Sequence, residues 1–493
     1  MTARGGVVAA GHPETARAGA DVLRAGGNAV DAAVAAVLAS LAAETLLTGL
    51  AAGGYMLVAL PGTEPRLLDF FVEAPGRGAD PESREELVPI SVSFGDAVQV
   101  FNVGPASVGT YGVPAGLAEA AARFGSLPLT ELVAPAVALA RGGVEVNEVQ
   151  AYVIEILGEI ATSTPESAAL YAPAGRLLVE GDTFRNPELA DALELLGRDG
   201  STPFYTGEVA AAVIEWLAGK GAMLTAADLA AYRAVDREPV RVAYRGRDVI
   251  TNPPPSAGGT LIAYALALLE RMAEPPTPGR LVDAMVSAQA ERTPEFLEGL
   301  SEEGFLDRFI ASRLGSTTHV SVLDAEGGAC SVTCSNGEGS GIVVPGTGLH
   351  LNNMLGEQDL NPLGFHRHPP GRRMPSMMSP TMVLGAGVPE VVVGSGGSNR
   401  LRSAILQTVV NVLDRGMDVA DAVRAPRLHF EDGVVYAEPG VDLSEVEDGD
   451  WAVARFRELN LFFGGVHAVT RDRETGELRG GGDPRRGGSV AAA

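Results

Sequence analysis

GSTTHVSVLDAEGGACSVTCS, residues 315–335, predicts a β-hairpin that begins with a pair of threonines. Apolar and polar side chains alternate on both sides of residues 324–328, and such alternation is typical of strands joined by a short turn. Thr317 stands at the first position of the first predicted strand, directly after Gly315 and Ser316. Threonines are common at strand starts, so this stretch alone allows a structural role as well as a chemical one.

The chemical role predicted for Thr317 is self-cleavage followed by catalysis. If its hydroxyl attacks the carbonyl of Ser316, the peptide bond becomes an ester that water can hydrolyse. The freed Thr317 then carries a hydroxyl and an α-amine on one residue. Because an α-amine has an ordinary pKa of about 7.7–8.0, it can act as the general base for that hydroxyl.

A second candidate segment is GSGGSNR, residues 394–400, between a predicted strand and a predicted helix. Backbone N–H groups at such a turn can stabilise an oxyanion, although a tight turn without chemistry fits equally well. A phosphate-binding P-loop is excluded, because Lys220 is the only lysine and is followed by Gly221. The Gly-x-Ser-x-Gly elbow of serine hydrolases is absent from the sequence.

The rest of the chain predicts helices first and strands later, with helices again near the end. This order favours sheets packed between layers of helices. PPPSAGG (253–259) predicts a rigid loop that opens a helix at about Thr260, and residues 275–316 predict an exposed helical segment. The other predicted helices are 13–24, 29–43, 116–124, 131–142, 148–161, 187–197, 208–219, 226–232 and 399–415, and the predicted strands are 53–60, 66–71, 239–251, 341–344, 381–384 and 390–393.

Charge and hydropathy exclude several classes of protein. The formal charge of −25 disfavours nucleic acid and anionic membranes as partners. The uncharged stretch 45–63 contains Gly49, Gly53, Gly54 and Pro61, which argue against a membrane-spanning helix. The N-terminus lacks a signal-peptide pattern. We therefore expect a cytoplasmic protein, or a periplasmic or secreted one if a leader has been removed.

Metal and disulfide chemistry are not predicted. Cys330 and Cys334 are too few for a disulfide framework or a zinc site, and we expect both to be buried as small apolar side chains. His366 and His368 form only a weak metal motif. His319 follows the threonine pair on a strand, where packing and hydrogen bonding are the favoured interpretation.

The sequence resembles the γ-glutamyltransferase family of N-terminal-nucleophile hydrolases along nearly its whole length. The motifs that carry the resemblance, in chain order, are GHPETARAGADVLRAGGNAVDAAVAA (11–36), NPPPSAGG (252–259), STTHVSVLDAEGGACSV (316–332), GSGIVVPGTGLHLNN (339–353), MPSMMSPTMVL (374–384) and GSGGSNR (394–400). The resemblance implies a four-layer αββα sandwich. It also implies that self-cleavage yields a large subunit, 1–316, and a small one, 317–493, which associate as a heterodimer. No cofactor or metal is expected, because the nucleophile, the base and the oxyanion donors can all come from the chain.

The resemblance implies catalytic roles for four residues. Thr317 corresponds to the family's nucleophile for both self-cleavage and catalysis. Ser335 corresponds to a second hydroxyl residue, a threonine in well-known members, that contacts the nucleophile. Gly396 and Gly397 correspond to the paired glycines of the oxyanion hole.

Four further positions correspond to the binding site for the acyl donor. Glu357 matches the acidic residue that binds the donor's α-amino group, and Asn336 is matched to a substrate-binding asparagine across a shorter loop. Ser376 matches the first of two serines that bind the α-carboxylate, whereas Met377 replaces the second.

One departure from the family concerns specificity. The family has an arginine in an Asp-Phe-Arg-Glu type motif that binds the donor carboxylate through two hydrogen bonds. Residues 69–75 read DFFVEAP, which places Phe71 in that part of the motif. Arg367, Arg372 and Arg373 are the candidates to replace the missing arginine.

The resulting prediction is an enzyme that acts through an acyl-Thr317 ester, with water, an amine or a peptide as acceptor. Its expected donors are γ-glutamyl compounds such as glutathione. Phe71 and Met377 favour a first alternative, an amidohydrolase or acylase for a non-glutamyl acyl group. The second alternative is an uncleaved, inactive homologue with a binding role.

Overall fold

Two seven-stranded antiparallel sheets form the centre of the computed structural model, which describes residues 2–3, 5–93, 98–290, 318–361, 364–449 and 451–493. The first sheet takes strands from both sides of the predicted cleavage point between residues 316 and 317. Its spatial order is Ser489–Ala492, Gly6–Ala10, Thr318–Asp324, Ala329–Ser335, Gly53–Ala59, Arg66–Phe70 and Val235–Arg237. The predicted hairpin is therefore at its centre.

The second sheet also takes strands from both sides of the predicted cleavage point. Its spatial order is Thr2–Ala3, Leu478–Gly482, Gly465–Arg471, Val388–Gly396, Thr381–Gly385, Arg247–Thr251 and Val240–Tyr244. Neighbouring strands are antiparallel throughout. The remaining strands form small peripheral sheets: Val88–Ser93, Val98–Val103, Val144–Glu145, Thr183–Phe184, Val343–Val344, Leu349–His350, Leu428–Glu431, Val434–Ala437 and Ala452–Arg455.

Helices cover the outer face of each sheet, which confirms the predicted αββα sandwich. Residues Tyr55, Leu57 and Val392 belong to the apolar cluster between the sheets. Two larger clusters join the outer faces to the helices. The helices over the first sheet include Pro13–Arg24, Ala29–Ala43, Val113–Phe124, Ala134–Gly142, Pro187–Asp199 and Glu208–Leu217, and those over the second are Ala257–Glu270, Pro278–Ala290, Leu401–Leu413 and Val419–Arg424.

The first two helices show why the chain folds this way locally. Pro13 occupies the first turn, where its missing N–H costs nothing, and His12 Nδ1 accepts the Glu14 N–H. Asn28 and Asp31 form a reciprocal capping box at the start of Ala29–Ala43. Every residue of Ala29–Ala43 is buried, as its almost wholly apolar composition predicts.

Several predicted boundaries need correction. The helix expected at about Thr260 begins at Ala257, because the chain turns at the three prolines before that point. Residues 131–142 and 148–161 each form two short helices, Leu129–Leu132 with Ala134–Gly142 and Glu148–Ile156 with Gly158–Ala161. The other short helices are Pro165–Tyr171, Thr202–Tyr205, Ala226–Ala231 and Ser444–Glu447.

The prediction of an exposed segment at 275–316 is wrong for its first part. Leu281, Val282 and Met285 of Pro278–Ala290 are buried in the cluster that covers the second sheet. The charged residues of this helix occupy only its outer side. Residues 291–316 lie outside the described part of the chain.

Two smaller expectations concern the cysteines and the apolar stretches. Cys330 and Cys334 are free and buried, as predicted, and burial raises the pKa of both thiols. Among the described residues, no helix is both long and apolar enough to cross a membrane.

Candidate active site

A buried carboxylate fixes the start of the hairpin. Thr318 is the first described residue of Thr318–Asp324, and its Oγ1 donates a 2.6 Å hydrogen bond to Glu44 Oε2. Thr15 Oγ1 donates to the other oxygen of Glu44 at 2.8 Å. Burial raises the pKa of Glu44, against the opposing effects of these two hydroxyls and of Arg486. Ser316 and Thr317 themselves lie outside the described residues.

Ser335 lies at the same end of the hairpin. Thr318 pairs with Cys334 on the neighbouring strand, and Ser335 is the next residue. Ser335 is buried, and its Oγ accepts a 2.9 Å hydrogen bond from the Gly337 N–H. The strand on its other side places Gly53 opposite Ser335. Ser335 therefore ends its strand beside the start of the strand that follows Thr317 in sequence.

Of the predicted oxyanion glycines, Gly396 ends the strand Val388–Gly396 of the second sheet, which crosses the hairpin, and Gly397 directly follows it. Val388–Gly396 packs so closely on the first sheet that a Cβ at Gly394 would lie 2.2 Å from the His319 ring. Gly396 pairs with Gly465. Gly397 has a φ of +120°, which side-chain-bearing residues rarely adopt. A Cβ at Gly397 would lie 2.5 Å from the Gly464 Cα. Glycine is thus required at this turn.

Two of the predicted donor-binding residues meet around Gly337. Glu357 is buried, and its Oε1 lies 2.3 Å from the point where a Cβ on Gly337 would stand. Asn336 is fully buried, and its Nδ2 donates a 3.2 Å hydrogen bond to the His350 carbonyl. The structure therefore groups Ser335, Asn336 and Glu357 at one loop, although their binding roles stay predictions.

Ser376 and Met377 lie against the start of the helix Ala257–Glu270. The Ser376 carbonyl accepts hydrogen bonds from Ala257 N–H at 2.7 Å and from Ser256 Oγ at 3.0 Å. Its own hydroxyl accepts the Met378 N–H at 3.1 Å. Met377 is fully buried in the cluster that covers the second sheet. The polar groups of Ser376 thus form hydrogen bonds within the protein, and the Met377 side chain packs in its apolar core.

Arg373 does not present a free guanidinium in place of the family's arginine. It is buried and donates to the Tyr232 hydroxyl at 2.7 Å and to the Phe71 carbonyl. Its Nε lies 3.4 Å from Asp69 Oδ1. The Phe71 ring stacks on Tyr55 with 5.4 Å between centroids. Phe71 itself is therefore part of the apolar core, and Arg373 holds the segment around it through the Phe71 carbonyl and Asp69.

Arg367 and Arg372, the other two candidate arginines, are not buried against Phe71 as Arg373 is. The Arg367 side chain is exposed on the loop before Arg373. Arg372 is half-buried, and its carbonyl accepts the Ala74 N–H at 2.8 Å. The three arginines named from the sequence therefore lie on this loop, whereas two arginines from elsewhere in the chain line a cavity together with Gly337.

Those two residues, Arg400 and Arg486, line a cavity with Glu338 and Gly337. We call this cavity the arginine pocket; its other lining residues are Leu47, Gln99, Phe101, Val153, Ile156, Leu157 and Leu461. Arg400 lies over the Phe462 ring, 4.6 Å from its centroid, and donates to the Phe462 carbonyl at 3.0 Å. Burial lowers the pKa of Arg486 to about 10, and the positive charge of Arg400 adds to this effect.

The structure places Glu44, Arg400 and Arg486 at the candidate site, and the sequence patterns did not single them out. Glu44 directly follows the apolar helix Ala29–Ala43, and a single acidic residue at the end of so apolar a segment was a usable signal. Arg400 stands in the GSGGSNR motif itself. Arg486 is remote in sequence, and only the tertiary fold brings it near Gly397.

Both ring nitrogens of His319 have structural partners. His319 is fully buried between the sheets, with Nδ1 2.8 Å from Thr333 Oγ1 and Nε2 2.8 Å from Ser321 Oγ. Burial holds its pKa well below the ordinary value. The packing interpretation of His319 is confirmed. Within the described ranges, no group of three or more His, Cys, Asp or Glu side chains could hold a metal ion.

The fold and the placement of the threonine hairpin define an N-terminal-nucleophile hydrolase. The family model of gamma-glutamyltranspeptidase matches residues 15–300 and 303–493, so the chain belongs to the γ-glutamyltranspeptidase family and is an enzyme of the hydrolase and transferase type. Cephalosporin acylase from Bacillus halodurans has a similar structure, with a TM-score of 0.86 and 26% identity over 100% of this chain and 96% of that one.

Two curated relatives carry different activities in their names. Acylase ACY 1 proenzyme of Pseudomonas sp. (strain SE83) is 33% identical over 88% of this chain and 84% of its own length. Glutathione hydrolase proenzyme of Escherichia coli (strain K12) is 31% identical over 87% of this chain and 82% of its own length. The family is therefore established, while the similarity is nearly equal for relatives with different substrates.

Proposed function

We propose that this protein cleaves itself before Thr317 and then hydrolyses or transfers acyl groups through an ester on Thr317. In self-cleavage the Thr317 hydroxyl attacks the Ser316 carbonyl carbon, and the C–N bond breaks as the nitrogen takes up the hydroxyl proton. Water then hydrolyses the ester to give the Ser316 carboxylate and a free Thr317. The observation that carries the proposal is the convergence of Thr318, Ser335 and the turn at Gly397 at one end of the two sheets.

The same groups would act in each catalytic cycle. The α-amine of Thr317 accepts the proton of its own hydroxyl while that oxygen attacks the donor carbonyl. N–H groups at Gly396 and Gly397 stabilise the negative oxygen of the tetrahedral intermediate. The leaving amine takes the proton, and water or a second amine then attacks the acyl ester. The two fragments are expected to remain associated as a heterodimer.

γ-Glutamyl compounds such as glutathione are the first proposed donors. The buried carboxylate of Glu357 beside Gly337 supports this assignment, because it suits the positive α-amino group of a γ-glutamyl donor. A non-glutamyl acyl donor is the second candidate. It is favoured by the apolar surroundings of Phe71 and by Met377, which replaces a serine of the family motif.

The test combines the intact mass of the purified protein with release of p-nitroaniline from γ-glutamyl and other acyl anilides. We expect two fragments that meet at Ser316 and Thr317, and release from at least one donor. Thr317→Ala should stay a single chain of 50.8 kDa without activity, whereas Thr317→Ser should retain part of both. An uncleaved, inactive wild-type chain would instead support the binding-protein alternative.

Glu44→Gln should slow self-cleavage, because it weakens the acceptor that holds Thr318. A hydrogen bond to a charged group contributes about 1.5–3 kcal/mol, and about 1.4 kcal/mol corresponds to a tenfold rate change. We therefore expect cleavage to slow by about tenfold or more, measured as the uncleaved fraction against time. Thr15→Val is the control, since it removes only the other partner of Glu44; equal slowing in both variants would contradict a role specific to Thr318.

A further inference from the structure

We propose that Glu431 is a positioning residue for the oxyanion turn, because it holds Asn399 directly beyond Gly397. By the oxyanion turn we mean Gly396 and Gly397. The contact comes from the short strand Leu428–Glu431, which belongs to a small sheet outside the two central ones. The inference rests on the acyl-enzyme chemistry proposed above and identifies what keeps its oxyanion donors in place.

The oxyanion turn leads directly into a helix. The short 3-10 helix Ser398–Arg400 follows Gly397, and the helix Leu401–Leu413 begins at the next residue. The Gly397 carbonyl accepts the Arg400 N–H at 3.1 Å. Because the turn continues into the helix without a loop between them, a shift of the helix start would also move the N–H groups of the turn.

One side of this helix is polar, although the helix is buried. Asn399, Ser403 and Gln407 are four residues apart and therefore lie on the same side; we call them the polar stripe. Ile405 and Val409 belong instead to the apolar cluster that covers the second sheet. Burial of polar side chains costs free energy unless they form hydrogen bonds. The polar stripe therefore requires partners from a neighbouring element.

Two side chains of the strand bind the first two members of the polar stripe. Glu431 Oε1 accepts a hydrogen bond from Asn399 Nδ2. His429 Nδ1 lies 2.7 Å from Ser403 Oγ, and His429 Nε2 lies 3.5 Å from Glu431 Oε2. Alternate residues of a strand share a face and are about 7 Å apart. Residues four apart on a helix are separated by a rise of about 6 Å, so both contacts form together.

The third contact fixes the position of the helix along the strand. Gln407 Nε2 donates to the Leu428 carbonyl at 2.8 Å, and Gln407 Oε1 accepts the Leu428 N–H at 3.1 Å. A helix that slid along the strand would lose all three contacts at once. The strand and the polar stripe therefore define one register, and this register determines where the oxyanion turn lies.

The contact nearest the turn is also charged. Burial alone would raise the pKa of Glu431, but His429, Arg400 and Arg402 together lower it to about 2. Glu431 is therefore an anion at neutral pH. A hydrogen bond to a carboxylate is roughly twice as strong as one between neutral groups, so Glu431 holds Asn399 more firmly than a neutral acceptor would.

The test measures kcat and KM for the best p-nitroanilide donor on the cleaved forms of Glu431→Ala, Asn399→Ala and the double variant. Each single variant should lower kcat by about 10- to 100-fold, less than the outright loss of an oxyanion donor. KM should change little, because neither residue is proposed to touch the donor. Since both residues act through one hydrogen bond, the double variant should lose no more than the larger single loss. Glu431→Gln keeps an acceptor for Asn399 and should recover most of kcat.

Two further variants separate positioning from a general loss of stability. Gln407→Met removes the contact farthest from the oxyanion turn, so it should lower the free energy of unfolding while lowering kcat much less than Glu431→Ala does. Glu447→Gln changes an exposed residue that pairs with Arg455 of the same small sheet, and it should leave both quantities at their wild-type values.

The outcomes distinguish this inference from the proposed function. A cleaved, active wild type whose kcat is unchanged in Glu431→Ala and Asn399→Ala would overturn the inference alone, as would an equal loss of kcat in Gln407→Met. If Glu431→Ala does not fold or cleave, a wild-type kcat in Asn399→Ala would overturn it in the same way. An uncleaved wild type without activity on any donor would overturn both proposals.

Discussion

Gly397→Ala is expected to lower kcat for acyl hydrolysis by about 10²- to 10³-fold, the usual effect of losing one oxyanion donor. Alanine is strained at a φ of +120°, and its Cβ would lie 2.5 Å from the Gly464 Cα. The turn must therefore shift, and the N–H groups of Gly396 and Gly397 shift with it. Stopped-flow or steady-state release of p-nitroaniline from the best donor measures the effect.

Gly62→Ala is the matched control for the strain of a positive φ. Gly62 has a φ of +75° and no atom within 4 Å of its missing Cβ, so the substitution introduces strain without a collision. We expect about 1 kcal/mol of destabilisation and wild-type kcat. Wild-type kcat in Gly397→Ala, with cleavage complete, would rule out an oxyanion role for this turn.

Asp483→Asn should produce a large loss of stability, about 3–5 kcal/mol, the cost of breaking a buried ion pair from one side. Asp483 is fully buried between two buried arginines, 2.6 Å from Arg427 and 3.1 Å from Arg485. Its oxygens also accept the N–H groups of Val466 and Arg485. Denaturant unfolding of wild type and variant measures the difference, with Asp283→Asn as an exposed control expected to change little.

The pH dependence of stability provides an independent check on Asp483. Burial alone would raise the pKa of this carboxyl, but Arg427 and Arg485 together hold it below its ordinary value. A carboxyl with a lowered pKa stabilises the fold above its unfolded-state pKa of about 3.9 and loses this contribution as pH falls further. The free energy of unfolding should therefore fall less steeply below about pH 4 in Asp483→Asn than in wild type.

The sequence predicted the interior helices and the central hairpin well, because their patterns are local. The helices 13–24 and 29–43 were predicted with the observed bounds, since proline, asparagine and acidic residues mark their starts. Strands Gly6–Ala10, Leu478–Gly482 and Ser489–Ala492 were not predicted. They are short and rich in glycine or alanine, and they form strands only because neighbours in the sheets supply hydrogen-bond partners.

The site could be predicted only where a motif carries it. Ser335, Gly396 and Gly397 stand in recognisable segments, and the structure places them at one end of the two facing sheets. Glu44 and Arg486 come from segments far from the hairpin in sequence, and no local pattern joins them to it. The structure also shows Phe71 and Met377 as buried core residues, which sequence alone identified only as departures from the family.

Each sheet combines strands from before and after the predicted cut, and this has a consequence for how the active enzyme would form. In the first sheet, Thr318–Asp324 lies between Gly6–Ala10 and Ala329–Ser335, so segments before and after the predicted cut depend on each other for pairing. Glu44, which holds Thr318, also comes from the first part of the chain. If the proposed cut requires this arrangement, it would act as a check on folding: only a correctly assembled molecule would gain the amino terminus at Thr317, and a misfolded one would remain a single inactive chain.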